Sequence, residues 1–282
     1  MSMKSSPPCA TLADPSDITA LARSVLATAD PVAKSDRARE VAAIWRSRAC
    51  ALPARAGRPP DPPARPARPV LVAPGDVPRR RLNSPDGRIA LLHAVAHIEF
   101  NAIDLAFDMV ARYATDAALC DSTRNAFVSD WVGVGDDEAR HFRLVTTRLA
   151  ELDAAYGDFP AHNGLWDAAM ATRDSLAARL AVAPLVLEAR GLDVTPGMID
   201  RLTSAGDAAS AACLRIIYAE EIGHVAAGAR WFRHVAERAG EDPVTLFQTL
   251  VRRQFPGGLK PPFNAAARLQ ADLTPDFYES LA

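Results

Sequence analysis

The sequence predicts an all-α protein: a four-helix bundle preceded by an N-terminal helical segment and an extended Pro/Arg-rich arm. Three observations carry this. Strand signals are nearly absent, with only Pro69-Val70-Leu71-Val72 able to pair. Ala is abundant and aromatics are 6%, a balance that favours helices over sheets. From Ser84 onward, long helical patterns follow one another, punctuated by Ser/Thr/Asp-Pro pairs that read as N-caps followed by Pro at the first helical position.

Residues 16–50 carry a modest helical pattern through Ile18, Leu21, Ala22, Val25 and Leu26, then Ala42, Ala43 and Ile44. Residues 51–83 break it, because Pro fixes φ and removes a donor. This arm is either a solvated linker or a strap laid along the bundle, and Arg79-Arg80-Arg81 gives it a small pull toward anionic partners. The domain reading is therefore 1–83 for helical segment and arm, and 84–282 for the bundle with short C-terminal helices. Within the bundle the patterns predict helix A at about 86–114, B at about 122–154, C at about 164–190 and D at about 197–239, with short helices near 243–253 and 275–281. Further N-caps are expected at Asp121 or Ser122, Asn163, Thr195, Asp242 and Thr274. Helix A is apolar almost all round, from Ile89 through Ile98 to Val110, so it belongs inside the bundle.

Composition sets outer limits. The chain has 282 residues, 49% of them hydrophobic, enough for a real core. A formal net charge of −2 argues against a protein built to coat nucleic acid. No run of eighteen apolar residues suggests a membrane span, and the first residues lack the apolar stretch of a signal peptide. Cys9, Cys50, Cys120 and Cys213 form no Cys-x-x-Cys pair, which fits a reducing cytoplasm and neither a zinc ribbon nor a disulfide framework.

Chemistry enters with six residues. Helix A holds Glu99 between Ile98 and Phe100, a costly place for a carboxylate unless it is paired, protonated or metal-bound. Helix B holds Glu138 and His141, three apart and on one face. Helix C holds Glu188 in an apolar run, and helix D holds Glu221 and His224. The order Glu, Glu-x-x-His, Glu, Glu-x-x-His over four helices is the ligand pattern of a carboxylate-bridged di-iron or di-manganese site. Four carboxylates offset two divalent ions and bridge them, and two imidazoles complete the coordination. With 10 Glu and 6 His in the chain, chance alone gives about 0.2 Glu-x-x-His pairs; two occur, each following a helix with an isolated Glu. Any one element alone would more readily be a solvated helix face.

This set resembles the ferritin-like di-iron carboxylate superfamily. The segments HAVAHIEFNAIDLAFD, FVSDWVGVGDDEARHF, YGDFPAHNGLW, VLEARGLDVTP and EEIGHVAAGARWF resemble, more narrowly, an uncharacterised bacterial branch of ferritin-like proteins of unknown function, over roughly residues 65–265. The resemblance implies the fold and a site for two divalent metals, iron first and manganese or mixed Fe/Mn as alternatives; it supplies no reaction. Asp137-Glu138-Ala139-Arg140-His141 also resembles the Asp-Glu-x-Arg-His motif of bacterial di-iron monooxygenases. That likeness implies that Asp137 orients a ligand imidazole from outside, with Arg140 and Glu220 beside it. The second motif departs, with Glu220 in place of the Asp and Gly223 in place of the Arg, which weakens the analogy.

Other residues are expected to play lesser parts. Tyr218, three before Glu221, is a candidate redox-active residue, against the plainer reading of a core Tyr with its hydroxyl bonded. His93 and His97 are expected to pack by hydrogen bonds, Asp104 and Asp108 to sit on a polar face or in salt bridges, and His162 and His234 at the surface or in loops. Pro184 is expected to kink helix C and aim Glu188. The functional expectation is an O2-dependent oxidase or oxygenase acting on a small molecule, a tRNA hydroxylase being one version. The alternatives are ferritin- or rubrerythrin-like iron or peroxide handling, and a metal-binding scaffold without catalysis. Substrate, electron donor and oligomeric state lie outside what the motif encodes.

Overall fold

The computed structural model describes residues 17–77, 84–255 and 257–282. Among them the regular structure is helical: α1 (Ile18–Leu26), α2 (Pro31–Arg46), α3 (Pro85–Tyr113), α4 (Asp121–Ala150), α5 (Gly164–Ala171), α6 (Leu176–Val182), α7 (Ala189–Ser204), α8 (Ala208–Ala239), α9 (Pro243–Gln254), α10 (Ala265–Gln270) and α11 (Pro275–Tyr278). A π-helical turn, Ala183–Glu188, joins α6 to α7. The only β pairing among the described residues is an isolated bridge between Leu71 and Ala161.

Side-chain caps set several starts. Asp17, Asp30, Ser84, Asp207 and Asp242 each accept a hydrogen bond from the backbone N–H three residues on. Asn163 and Thr274 precede helices without making such a bond. Helix α3 packs on α4, α4 on α8, and α8 on α6, the π turn and α7. Helices α1 and α2 pack on α3 and α4, so the N-terminal segment shares one hydrophobic core with the rest. Helix α3 is long and apolar enough to cross a membrane, but most of it is buried inside the protein. Ile98 is its exception, half exposed.

The third and fourth expected helices need correction. Helix C is four pieces, α5, α6, the π turn and α7, and helix D begins at Ala208, not near residue 197. Thr195-Pro196 imitates a helix start but lies inside α7. Proline there cannot donate to the carbonyl four residues back. That carbonyl, Leu192, instead accepts from Asn264 Nδ2 at 3.1 Å. Pro184 falls in the π turn, where Ala189 N–H reaches back to the Pro184 carbonyl. Helix α8 approaches this ring so closely that a Cβ on Gly228 would lie 2.5 Å from Pro184 Cβ.

The described part of the arm, residues 51–77, is a strap. Ala64 N–H donates to the Leu26 carbonyl (2.7 Å) and Val72 N–H to that of Ala161 (2.8 Å). Arg65 reaches Asp104 (3.0 Å) and Asn101 (2.7 Å) on α3, and Asp61 pairs with Arg112 (3.0 Å). Arg79-Arg80-Arg81 and Cys9 lie outside the described residues.

Candidate metal centre

Helices α3, α4 and α8 and the π turn bring Glu99, Glu138, His141, Glu188, Glu221 and His224 toward one another. Glu99, Glu138, His141 and Glu221 each offer a ligand atom, and these four atoms lie within 4.8 Å of one another. His141 Nδ1 lies 3.3 Å from Glu99 Oε2, 3.4 Å from Glu138 Oε2 and 3.9 Å from Glu221 Oε1. His224 Nδ1 lies 3.0 Å from Glu138 Oε1 and 3.4 Å from Glu221 Oε2. Glu138 and Glu221 therefore each turn one oxygen to each imidazole. Glu99 stands on the His141 side. Glu188 is coupled electrostatically to Glu221, Glu138 and His224.

This cluster does not satisfy itself. Glu99 Oε2, Glu138 Oε1, Glu188 Oε2, Glu221 Oε2 and His224 Nδ1 are buried without a hydrogen-bond partner. Each such atom costs about 1–3 kcal/mol. Nδ1 of His224 comes within 3.0 Å of Glu138 without hydrogen-bond geometry. A divalent cation between these atoms would satisfy several at once, and the hard oxygen and imidazole donors suit one.

The titration pattern says the same. Burial pushes Glu99 well above the usual carboxylate range, and the Glu138 charge adds to it. Burial and Glu138 likewise raise Glu221. Burial, with Glu221 and Glu138, pushes Glu188 up to about 8. Burial would raise Glu138 too, but the facing His224 and His141 hold it below the usual range. Burial opposes charge on the imidazoles, yet Glu138 and Glu99 push His141 up to about 11, and Glu221 and Glu138 raise His224 well above its ordinary value. Burial thus disfavours charge on three of the four carboxylates, while the carboxylates favour charge on both imidazoles.

Outside this cluster the two helices cross-brace. His141 Nε2–H donates to Glu220 Oε2 at 2.6 Å, and His224 Nε2–H donates to Asp137 Oδ2 at 3.4 Å. Each carboxylate thus steadies the imidazole of the other helix, leaving Nδ1 of both rings facing inward. Arg140 donates to Asp137 at 2.7 Å and to both oxygens of Glu220 at 3.1 and 2.8 Å. Glu220, which departs from the Asp of the first motif, thus supports His141 directly, and its extra methylene gives the shorter bond.

Some expected residues lie elsewhere. The Tyr218 hydroxyl accepts from Asn264 Nδ2 at 3.0 Å, which ties it to the segment before α10 and favours the plainer reading. Asp104 and Asp108 are not on a polar face but fully buried, paired with Lys34 and Arg179 at 2.5 Å each. His97 packs as expected: its Nδ1 accepts from the Tyr156 hydroxyl and its Nε2–H donates to the His162 carbonyl. Burial lowers its pKa to about 4. His93 Nε2 accepts from Gly157 N–H. His162 is in a loop, half-buried, and His234 is half-buried with its ring edge-on to Trp231. Lys34 was not singled out from sequence; its place on a short helix of low apolarity gives no local sign of a buried partner.

Comparison with known proteins adds a family. A curated relative from Haemophilus influenzae, an uncharacterised protein, is 42% identical over 206 residues, covering 73% of this chain and 72% of the relative. No solved structure matches the chain. The sequence profile described as "Protein of unknown function (DUF455)" matches residues 27–279. The chain therefore belongs to the DUF455 family of proteins of unknown function.

Proposed function

We propose that this protein is a ferritin-like four-helix bundle holding two carboxylate-bridged divalent metals, iron in the first place, and that it carries out O2-dependent oxidation of a small molecule. The four helices are α3, α4, the α6–π–α7 segment and α8. The observation that carries the reading is the double facing of Glu138 and Glu221, each with one oxygen toward each inward Nδ1. Glu99, Glu138, His141, Glu188, Glu221 and His224 would hold the metals. When bound, such a pair supplies two-electron redox chemistry toward O2. Glu220 fixes the tautomer and tilt of His141 through a 2.6 Å bond, Asp137 orients His224 more loosely at 3.4 Å, and Arg140 holds both carboxylates. Burial of Glu99, Glu138, His141 and His224 keeps bulk water from the donors. Manganese or a mixed Fe/Mn pair would use the same donors.

Metal content per chain tests this. Protein produced with iron and manganese available is expected to hold close to two metals per chain, and the Glu138→Ala/Glu221→Ala double variant close to none. Iron-loaded protein should then consume O2 and the variant should not. Near-zero metal, or metal unchanged by the double variant, would overturn the assignment.

A further inference from the structure

The two imidazoles differ in what lies outside them. His141 is wholly buried, and its outer nitrogen is held at 2.6 Å by Glu220. His224 borders a surface groove between α4 and α8, a concavity of about 510 Å³. Its outer nitrogen is held by Asp137 at only 3.4 Å, a much weaker restraint on the ring. The α4 wall repeats at one-turn spacing through Ser129, Gly133 and Asp137, and the α8 wall through Ala219, Gly223 and Ala227. A Cβ added at Gly133 or Gly223 would meet nothing within 4 Å, so both face open space.

The inner wall carries two carboxylates, Asp137 and Glu220, with side chains 39% and 34% exposed. Arg140 pairs with both and Arg230 pairs with Asp130, yet Asp137 and Glu220 keep part of their surface on the groove. Beyond Ser129 and Gly133 the surface continues into a second concavity lined by Trp45, Arg48 and Arg46, the last paired with Asp136. Asp137, partly exposed on the groove, is the carboxylate that touches the outer nitrogen of His224. Behind the His224 ring lie its own unpartnered Nδ1 and the Oε2 of Glu221.

The geometry points to the α4/α8 groove as the passage by which divalent cations reach and leave the centre, with His224 as its moving wall and Asp137 as the outer landing point. This rests on the metal-centre reading above. Rotation of the His224 ring away from Asp137 opens a path from that carboxylate to Glu138 and Glu221, and its return restores Nδ1 as a ligand.

Filling the groove tests the passage without touching a ligand. Metal-free full-length protein is mixed with Co(II) in a stopped-flow instrument and uptake is followed by the Co(II) absorption band; release is followed with excess EDTA. Gly133→Leu and Gly223→Leu should slow uptake and release by the same factor, tenfold or more, while the final content stays at two Co(II) per chain. An equal effect in both directions marks a passage and not a ligand. Gly223→Ala should slow both by a smaller factor, so a graded series remains if a leucine variant fails to fold. Unchanged rates across the folded variants, with full loading, would overturn the passage alone. Wild-type protein that takes up no Co(II) would overturn the centre and the passage together.

Discussion

Helix α3 contributes to two buried charged clusters that are solved in opposite ways. At Asp104 and Asp108 the protein closes the charge with its own cations: Lys34 and Arg65 on the first, Arg112 and Arg179 on the second. One turn and more away, Glu99 joins three other carboxylates whose nearest basic groups are two imidazoles. The first cluster is closed by the protein's own cations, although Arg65 Nη1 and Asp104 Oδ2 face each other at 3.0 Å without hydrogen-bond geometry. The second is left short of positive charge and of hydrogen-bond donors. Buried charges of the first kind are paired within the fold; those of the second leave donor atoms that a cation could take.

Isosteric neutralisation should break the comparison most sharply. Asp104→Asn leaves Lys34 buried beside a neutral amide, and denaturant unfolding should show a loss of about 3–5 kcal/mol, with metal content unchanged. Glu99→Gln in metal-free protein replaces a carboxyl whose charged form burial already disfavours, so unfolding should shift by less than about 1 kcal/mol. The same variant should lose metal. Equal destabilisation by both substitutions would erase the distinction.

A smaller effect is expected from the outer supports. Glu220→Gln keeps an acceptor for His141 but removes the charge, and metal affinity measured by competition with a chelator should fall by about 10–100-fold. The fold should be unaffected, because Glu220 is partly exposed. An unchanged affinity would mean that the short bond to His141 does not tune the centre.

The smallest effect is in the pH profile. The folded pKa of Glu188, about 8, lies above its ordinary 4.5, and that of His141, about 11, above 6.5. Both contribute stability that is fully present below the ordinary values and is lost as pH rises through the folded ones. Glu138, held low, acts the other way and loses its contribution only in acid. Metal-free protein should therefore melt at progressively lower temperature between pH 6.5 and 10. Metal-loaded protein should not, because cations then take the place of the protons. Parallel melting profiles with and without chelator would count against the cluster as a cation site.

Much of this was legible in residue spacing. The limits of α3 follow from its Ser84 cap and apolar pattern; α4 starts one residue early, after Cys120 and not Asp121 or Ser122, and ends at Ala150; the four segments that carry the Glu/His cluster follow from two Glu-x-x-His pairs and two Glu in apolar runs. What failed did so for want of distant partners. Thr195-Pro196 has the local form of a helix start, and only Asn264, far along the chain, lets α7 run through it. Glu220 looked like a flaw in a repeated motif because its partner, His141, lies on another helix. For Asp104 and Asp108 the salt-bridge alternative holds, but nothing local announces that the partners are Lys34 and Arg179 or that the pairs are buried.

Asn264 also bears on how the protein is made. It ties the Leu192 carbonyl and the Tyr218 hydroxyl, and its own N–H donates to Asp193 at 2.9 Å; Arg268, almost wholly buried, grips the same aspartate at 2.7 and 2.8 Å. The helix that follows Glu188 is thus clamped by residues translated some seventy-five positions later. During synthesis, Glu99, Glu138 and His141 leave the ribosome long before α7 can be locked in place. Assembly of the six-residue cluster therefore waits for Asn264 and Arg268 to emerge.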